Sequence, residues 1–289
     1  MISLQLNKKD VFDSLWRWAK TYMQHTDPSD PRYGYFAWHC NVQGGHMDEN
    51  PASDGETWFA TALFFASVRW GNGGEINYEQ EANTILYAAM HKEVNGTVKQ
   101  SVYNMFSSEE QQVVFTPYAS AATYTDPSYH IPTFYRVWAT MANESNDFYT
   151  SLEVKSRDYF QTAADADTGL FPDYSDFDGS PYGSGQNFKF DAWRTLAYVA
   201  TDYAWFGKEA GSWAITESDR LLQFFYSRFN DTSSYGNQYS LDGRQLSGDH
   251  STGLVAMNAV GALASTDSIA WEFVEALWNT SIPTGEYRY

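Results

Sequence analysis

Cysteine is nearly absent: Cys40 stands alone among 289 residues. No internal disulfide can brace the fold, and the redox compartment stays open, because a domain of this size can build its core without bridges. Basic side chains are scarce as well, 18 against 36 acidic ones, for a net charge of −18. Such a surface repels phosphate at long range and no Lys/Arg cluster offsets it, which argues against nucleic acid and anionic membranes as partners. Long apolar runs are missing too. The longest, roughly residues 58 to 68, is interrupted by Thr61 and Ser67 and falls well short of the ~20 residues that span a bilayer. Met1 to Leu6 is short and is followed by Lys8 and Lys9, the reverse of a signal peptide's order. The six histidines, His25, His39, His46, His91, His130 and His250, show no ligand spacing and H-E-x-x-H does not occur, so neither a metal nor a cofactor is expected. A G-x-S-x-G elbow is also lacking, and the Gly-rich stretch Gly179 to Gly185 does not end in G-K-[ST]. Acyl and phosphoryl transfer lose support.

What the chain does have is apolar spacing of three and four residues, with loops of Gly, Pro, Asp and Ser between. That pattern predicts helices throughout. Val11, Phe12, Leu15, Trp18, Ala19 and Tyr22 make one stripe behind a cap at Asp10, and Trp58, Phe59, Leu63 and Val68 another behind a cap at Asp54. Further helices are expected around 78 to 89, 131 to 141, 148 to 163, 191 to 205, 212 to 229, 252 to 265 and 267 to 278, about nine in all. No low-complexity linker separates them, so a single domain over 1–289, built of helical hairpins in a toroid or bundle, is the expectation. The fold class is all-α. Three long loops, 25 to 53, 93 to 130 and 165 to 190, interrupt the helices, and loops of that length in a compact domain carry function.

Aromatic residues make up 18% of the chain, and many fall in these loops beside acids: Tyr33, Tyr35, Phe36 and Trp38; Tyr118, Tyr124 and Tyr129; Phe171, Tyr174, Phe177 and Tyr182. A pyranose ring stacks its C–H face on an aromatic ring while its hydroxyls need carboxylate or amide partners, so this mixture suits a glycan cleft. Each ring could equally pack a helix end. The run Asp173, Asp176, Asp178, Gly179 resembles a calcium loop, but the spacing fails and it reads as a solvated turn. Sequons at Asn95, Asn143, Asn230 and Asn279 are of chance frequency for an Asn- and Ser-rich chain. Carboxylate chemistry remains. Asp54 in P-A-S-D-G-E (51 to 56) and Asp191 in F-D-A-W-R (190 to 194) both sit at predicted helix starts, where free N–H groups favour a charged base or substrate-binding anion over an acid with a raised pKa. Ordinary N-caps are the bland alternative for both.

At these same segments the sequence resembles glycoside hydrolase family 8, inverting enzymes with an (α/α)6 barrel that act on β-1,4 glucan, chitosan or xylan. The matching stretches are Y-G-Y-F-A-W (33 to 38), P-A-S-D-G-E, F-F-A-S-V-R-W-G-N-G (64 to 73), D-P-S-Y-H-I-P (126 to 132), F-D-A-W-R, G-L-V-A-M-N-A (253 to 259) and W-N-T (278 to 280). They cover nearly the whole chain and look most like the reducing-end xylose-releasing exo-oligoxylanases. The resemblance implies Asp191 as general base, Arg194 orienting it, Asp54 holding the distorted sugar, Tyr129 lining the site near the nucleophilic water, and Trp38 as a stacking platform. It also implies His250, in G-D-H-S-T-G (248 to 253), as a block beyond the first leaving-group sugar. Exo-acting members usually follow that histidine with proline, and Ser251 stands here instead. The expected partner is a xylo-oligosaccharide or related β-1,4-glycan, bound by a monomer. Endo-xylanase, glucanase or chitosanase, and a non-catalytic glycan-binding protein are the alternatives. The cellular address is left open: cytoplasmic for an exo-oligoxylanase, secreted otherwise.

The family's general acid is the Glu of an S-E-G-x-x-Y-G-M segment, and Met1-Ile-Ser-Leu-Gln-Leu resembles the helix that follows it. The acid is therefore expected upstream of Met1, and Thr284 to Tyr289 resembles a segment that precedes a last helix. Both ends read as truncated. About nine helices, with about two ahead and about one behind, make the twelve of an (α/α)6 barrel. Glu56, two residues beyond Asp54, should point away from the sugar and is a poor substitute for the acid, so the chain as written is expected to bind xylo-oligosaccharides but hydrolyse them poorly. The whole reading requires residues 54, 129 and 191 to meet at the floor of one groove.

Overall fold

The structure is a computed structural model that describes residues 1–93, 97–229, 232 and 234–284; of 208, 228 and 229 it describes only the backbone. Sequons Asn95 and Asn230 and the last five residues of the Thr284 to Tyr289 segment lie outside the described residues. Ten α-helices occur among the described residues: α1 (Ile2–Gln5), α2 (Lys9–Tyr22), α3 (Ser53–Trp70), α4 (Tyr78–Met90), α5 (Pro132–Met141), α6 (Asn146–Ala163), α7 (Thr195–Ala210), α8 (Trp213–Phe229), α9 (Thr252–Gly261) and α10 (Ala270–Asn279). All nine expected helices are present, and α1 is additional. Three antiparallel ribbons of two or three residues per strand went unforeseen: β1 (His39–Cys40) with β2 (His46–Asp48), β3 (Phe106–Ser107) with β4 (Gln112–Val113), and β5 (Gln238–Tyr239) with β6 (Gln245–Ser247). Strands this short carry no readable alternation.

The chain divides into two compact units, residues 1–123 with 134–151, and residues 124–133 with 152–289. In the first, α3 and α4 pack together, and Trp138, Tyr35, Tyr78, Tyr135, Tyr149, Phe36, Phe64 and Phe106 are large fully buried side chains. Aromatic rings this size rarely bury without a partner for their polar atoms. Accordingly, Trp138 Nε1–H donates to Thr61 Oγ1 at 2.9 Å and the Tyr35 hydroxyl to the Tyr103 carbonyl at 2.9 Å. The expected stripe of α2 is rotated. Phe12, Asp13, Trp16 and Ala19 are buried while Val11, Leu15 and Tyr22 are exposed, because Asp13, paired with Lys9 at 2.6 Å and bonded to the Tyr78 hydroxyl, takes an inward place. On α3 nearly every turn is buried, but Val68 is exposed. Neither Asp10 nor Asp54 caps its helix. The N-cap residues are Lys8 and Ala52, and each acid falls inside the first turn.

In the second unit α7, α8, α9 and α10 pack around Phe160, Phe171, Phe225, Tyr235, Tyr239, Leu254 and Phe273. Gly261 lets α9 approach α7: a Cβ there would meet Leu196 Cδ2 at 2.5 Å. Segments 124 to 130 and 171 to 190, from two of the long loops, are joined by a ladder in which Thr125 and Ser175 exchange both backbone hydrogen bonds, 2.9 and 3.0 Å. Tyr124 stacks on Tyr182 alongside, centroids 4.3 Å apart.

Each unit also buries a glutamate. Burial pushes Glu56 up to about 8, although its Oε1 accepts the Phe36 N–H at 2.9 Å, and pushes Glu217 up to about 8 against the pull of Arg220. Both are raised above the ordinary 4.5, so the folded chain keeps protons that the unfolded chain has released. Stability is therefore fullest below the unfolded value and declines as pH rises toward about 8, by up to about 1.4 kcal/mol per pH unit per group. Urea midpoints measured from about pH 5 to about pH 8 should fall in the native chain and fall less in the Glu56→Gln and Glu217→Gln variants. Equal slopes in all three would contradict the assignment.

Candidate active site

Asp191 lies in a 3-10 turn, Phe190–Arg194, that runs straight into α7. Its N-cap is Lys189, so Asp191 is not a cap either. The turn is only five residues long and leaves the carboxylate to depend on side-chain partners rather than on a helix dipole. Arg194, one turn on, supplies the first: Nη2 stands 3.1 Å from Asp191 Oδ1. The same nitrogen donates to Ser128 Oγ at 2.9 Å, and the guanidinium carbon sits 5.7 Å from the centroid of the Tyr129 ring. One cation thus ties the segment of Asp191 to the D-P-S-Y turn. Asp191 keeps 39% of its side chain exposed, beside a cleft of about 550 Å3 walled by Phe190, Trp193, Arg194, Asn237, Ser251 and Met257.

The D-P-S-Y turn is itself anchored by an acid that the sequence reading passed over. Asp126 is the N-cap of the 3-10 turn Pro127–Tyr129, its Oδ1 accepting the Ser128 N–H at 2.7 Å. It is fully buried, and its Oδ2 has no hydrogen-bond partner among the described residues. Burial, reinforced by the negative charge of Asp191, raises its pKa well above the carboxylate range, while Arg194 and the Ser128 N–H pull it back only in part. The protonated, neutral form of Asp126 is thereby favoured. The D-P-S pattern carried this capping signal, but only the fold reveals the burial.

A second unforeseen acid is Asp173. It is not solvated, as the acidic run suggested, but buried, and its Oδ1 accepts the backbone N–H of Asp191 at 3.1 Å. Asp178, by contrast, does cap an ordinary exposed turn by accepting the Ser180 N–H.

Tyr129, Asp191 and Arg194 are therefore brought together in the second unit. His250 lies in the same unit, exposed, its Nδ1–H donating to the Tyr235 carbonyl at 2.8 Å and its ring edge-on to Tyr235. Ser251 beside it is buried and accepts from Asn237 Nδ2 at 2.7 Å. Asp54 and Trp38 belong to the first unit. Asp54 is half-buried in the first turn of α3, and Trp38 is 55% exposed, near His39. Of the loop aromatics, Tyr35, Phe36 and Phe171 are core residues, whereas Tyr33 and Tyr118 are exposed.

Residues 1–285 match the family model for glycosyl hydrolases family 8. The chain belongs to that family. It is 39% identical to the reducing-end xylose-releasing exo-oligoxylanase Rex8A of Paenibacillus barcinonensis, covering 100% of this chain and 75% of the relative. A family 8 xylobiose complex from Teredinibacter turnerae is 45% identical, with a TM-score of 0.91 over 100% of this chain and 75% of that one. Endoglucanase 2 of Ruminiclostridium josui is more distant, 27% identical over 100% of this chain and 58% of its own length. The family 8 fold is all-α, an (α/α)6 barrel, and the chain is a glycoside hydrolase.

If Asp126 is neutral, its amide should replace it. Asp126→Asn keeps the oxygen that accepts the Ser128 N–H and should change stability by less than about 1 kcal/mol, whereas Asp126→Ala orphans that N–H at a cost of about 1–3 kcal/mol. Denaturant unfolding of the two variants distinguishes them; an Asn variant as damaged as the Ala one would show that the carboxyl is charged.

Proposed function

We propose that the chain catalyses inverting hydrolysis of β-1,4-xylosidic bonds, releasing xylose from the reducing end of xylo-oligosaccharides, and does so weakly because none of its own residues serves as the general acid. The observation that carries the reading is the half-exposed Asp191 carboxylate at the cleft, held by an arginine that is itself oriented by Ser128 and Tyr129. In an inverting reaction one carboxylate takes a proton from water as the water oxygen bonds to the anomeric carbon; the glycosidic C–O bond breaks and the leaving oxygen gains a proton from an acid. Asp191 is the base, Arg194 orients it, and Tyr129 lines the site beside the water. Asp54 holds the distorted sugar, Trp38 offers an exposed stacking face, and His250 stands beyond the first leaving-group sugar with its ring fixed by the Tyr235 carbonyl. Glu56 is not the acid, since its buried carboxyl is taken up by the Phe36 N–H. The enzyme acts as a monomer on neutral glycans, and its net charge of −18 disfavours nucleic acid and anionic membranes.

Relatives support the sugar: the names of three at 36–39% identity specify release of xylose from the reducing end. Endo action is the second reading, favoured by Ser251 where exo members carry proline and by 45% identity to a Teredinibacter turnerae structure described as a xylanase complex with xylohexaose.

Xylohexaose decides between them. Exo action gives xylose and xylopentaose as first products, endo action a spread of shorter oligomers, and hydrolysis of cellohexaose alone would end the xylan reading. The base is tested separately with β-xylobiosyl fluoride, whose leaving group needs no protonation. Asp191→Asn should lower its hydrolysis by about 10²–10⁴ with xylo-oligosaccharide binding retained; an unchanged rate removes Asp191 from the mechanism.

A further inference from the structure

The residue before the base is strained. Phe190 has φ +43°, in the left-handed region that a bulky side chain rarely adopts, and follows Lys189 in fully extended backbone. Strained backbone persists only where its surroundings over-determine it. Here the Asp191 N–H leaving that strained residue is accepted by Asp173 Oδ1 at 3.1 Å, and the next amide, Ala192 N–H, by the Lys189 carbonyl at 3.0 Å. Asp173 is well placed to hold it. Its neighbours Phe171 and Ser175 are fully buried, its own N–H donates to the Asn187 carbonyl at 3.0 Å, and Ser175 is locked in the ladder with Thr125.

We propose that Asp173 is a positioning residue for the general base, its carboxylate gripping the Asp191 backbone N–H so that the Asp191 side chain is presented to the cleft in one orientation. The inference rests on Asp191 being the base. The grip depends on charge, because a carboxylate accepts an N–H more strongly than a neutral carboxyl does. The groups that face Asp173 are Lys189, whose Nζ is 4.0 Å from Oδ2, and Asp191 itself. Asp126 and Arg194 face Asp191 from the D-P-S-Y turn and from its own turn, and Tyr174 adjoins both acids. Burial, then the charge of Asp191, pushes Asp173 up to about 6, with Lys189 opposing. Below that value Asp173 is neutral and the grip slackens; above it the carboxylate is charged and the turn is held.

Nuclear magnetic resonance of the full chain tests this without substrate. The Asp191 amide proton should titrate with a midpoint near pH 6 and exchange with solvent faster below it, and Asp173→Asn should abolish that titration. A flat Asp191 amide shift from pH 5 to 7 overturns the proposal whatever the enzyme's activity. With β-xylobiosyl fluoride, Asp173→Asn should lower kcat about 10-fold with KM within about twofold and lose the acid limb near pH 6. Lys189→Met, which removes the opposing cation, should move that limb to higher pH. Unchanged kcat and limb in the Asn variant also refute it. Failure of the native chain to hydrolyse the fluoride counts instead against the hydrolase reading, and leaves the amide titration to decide.

Discussion

The cleft depends on one cation, Arg194, which pairs with Asp191 Oδ1 and holds that carboxylate in place. Its Nη2 reaches Asp191 Oδ1 and Ser128 Oγ together, so Asp191, the D-P-S-Y turn and the Tyr129 face are fixed relative to one another by one planar group. Lysine, a point charge on a flexible stem, could neutralise Asp191 but could not impose that geometry. The short 3-10 turn contributes what a longer helix would not: it sets Asp191 and Arg194 three residues apart on a tight spiral, where side chains at that spacing nearly eclipse.

A chain of net charge −18 that buries several acids must deal with each of them, and two solutions recur. Some are paired: Arg157 bonds Asp202 through two nitrogens, at 2.7 and 2.9 Å, and Glu153 at 2.9 Å. In others burial favours the protonated form, as in Glu56, Glu217 and Asp126. Around Asp191 both occur together. Burial and the negative charge of Asp191 favour the neutral form of Asp126, while Asp173, with Lys189 nearby, is pushed up only to about 6.

The helices were legible because their apolar spacing is long and repeated; their faces were less so. Asp13 turns α2 inward through its bonds to Lys9 and Tyr78, a tertiary effect that periodicity cannot foresee, and α3 is too buried to have a face. Asp191 and Arg194 were visible only through their motif, since Asp and Arg three residues apart are common on any exposed helix. Asp126 announced its capping role through D-P-S but not its burial. Asp173 gave no signal at all: an acid in a run of acids reads as solvated, and only the ladder between Thr125 and Ser175 carries it inside.

Part of the cleft lining is coupled to the turn that carries Asp191. Trp193, two residues beyond Asp191, donates its indole N–H to the Asn237 carbonyl at 2.9 Å, and the Asn237 amide in turn donates to Ser251 Oγ at 2.7 Å. Where a proline would stiffen the segment after His250 by fixing φ, the serine stiffens it by a buried hydrogen bond, since a hydroxyl sealed from water has few other partners to choose. The two devices differ in what they depend on. A proline holds its segment alone, whereas Ser251 holds it only while Asn237 is held by Trp193. The loop carrying His250 and the turn carrying Asp191 are thus linked through Trp193, Asn237 and Ser251, with His250 held in addition by the Tyr235 carbonyl.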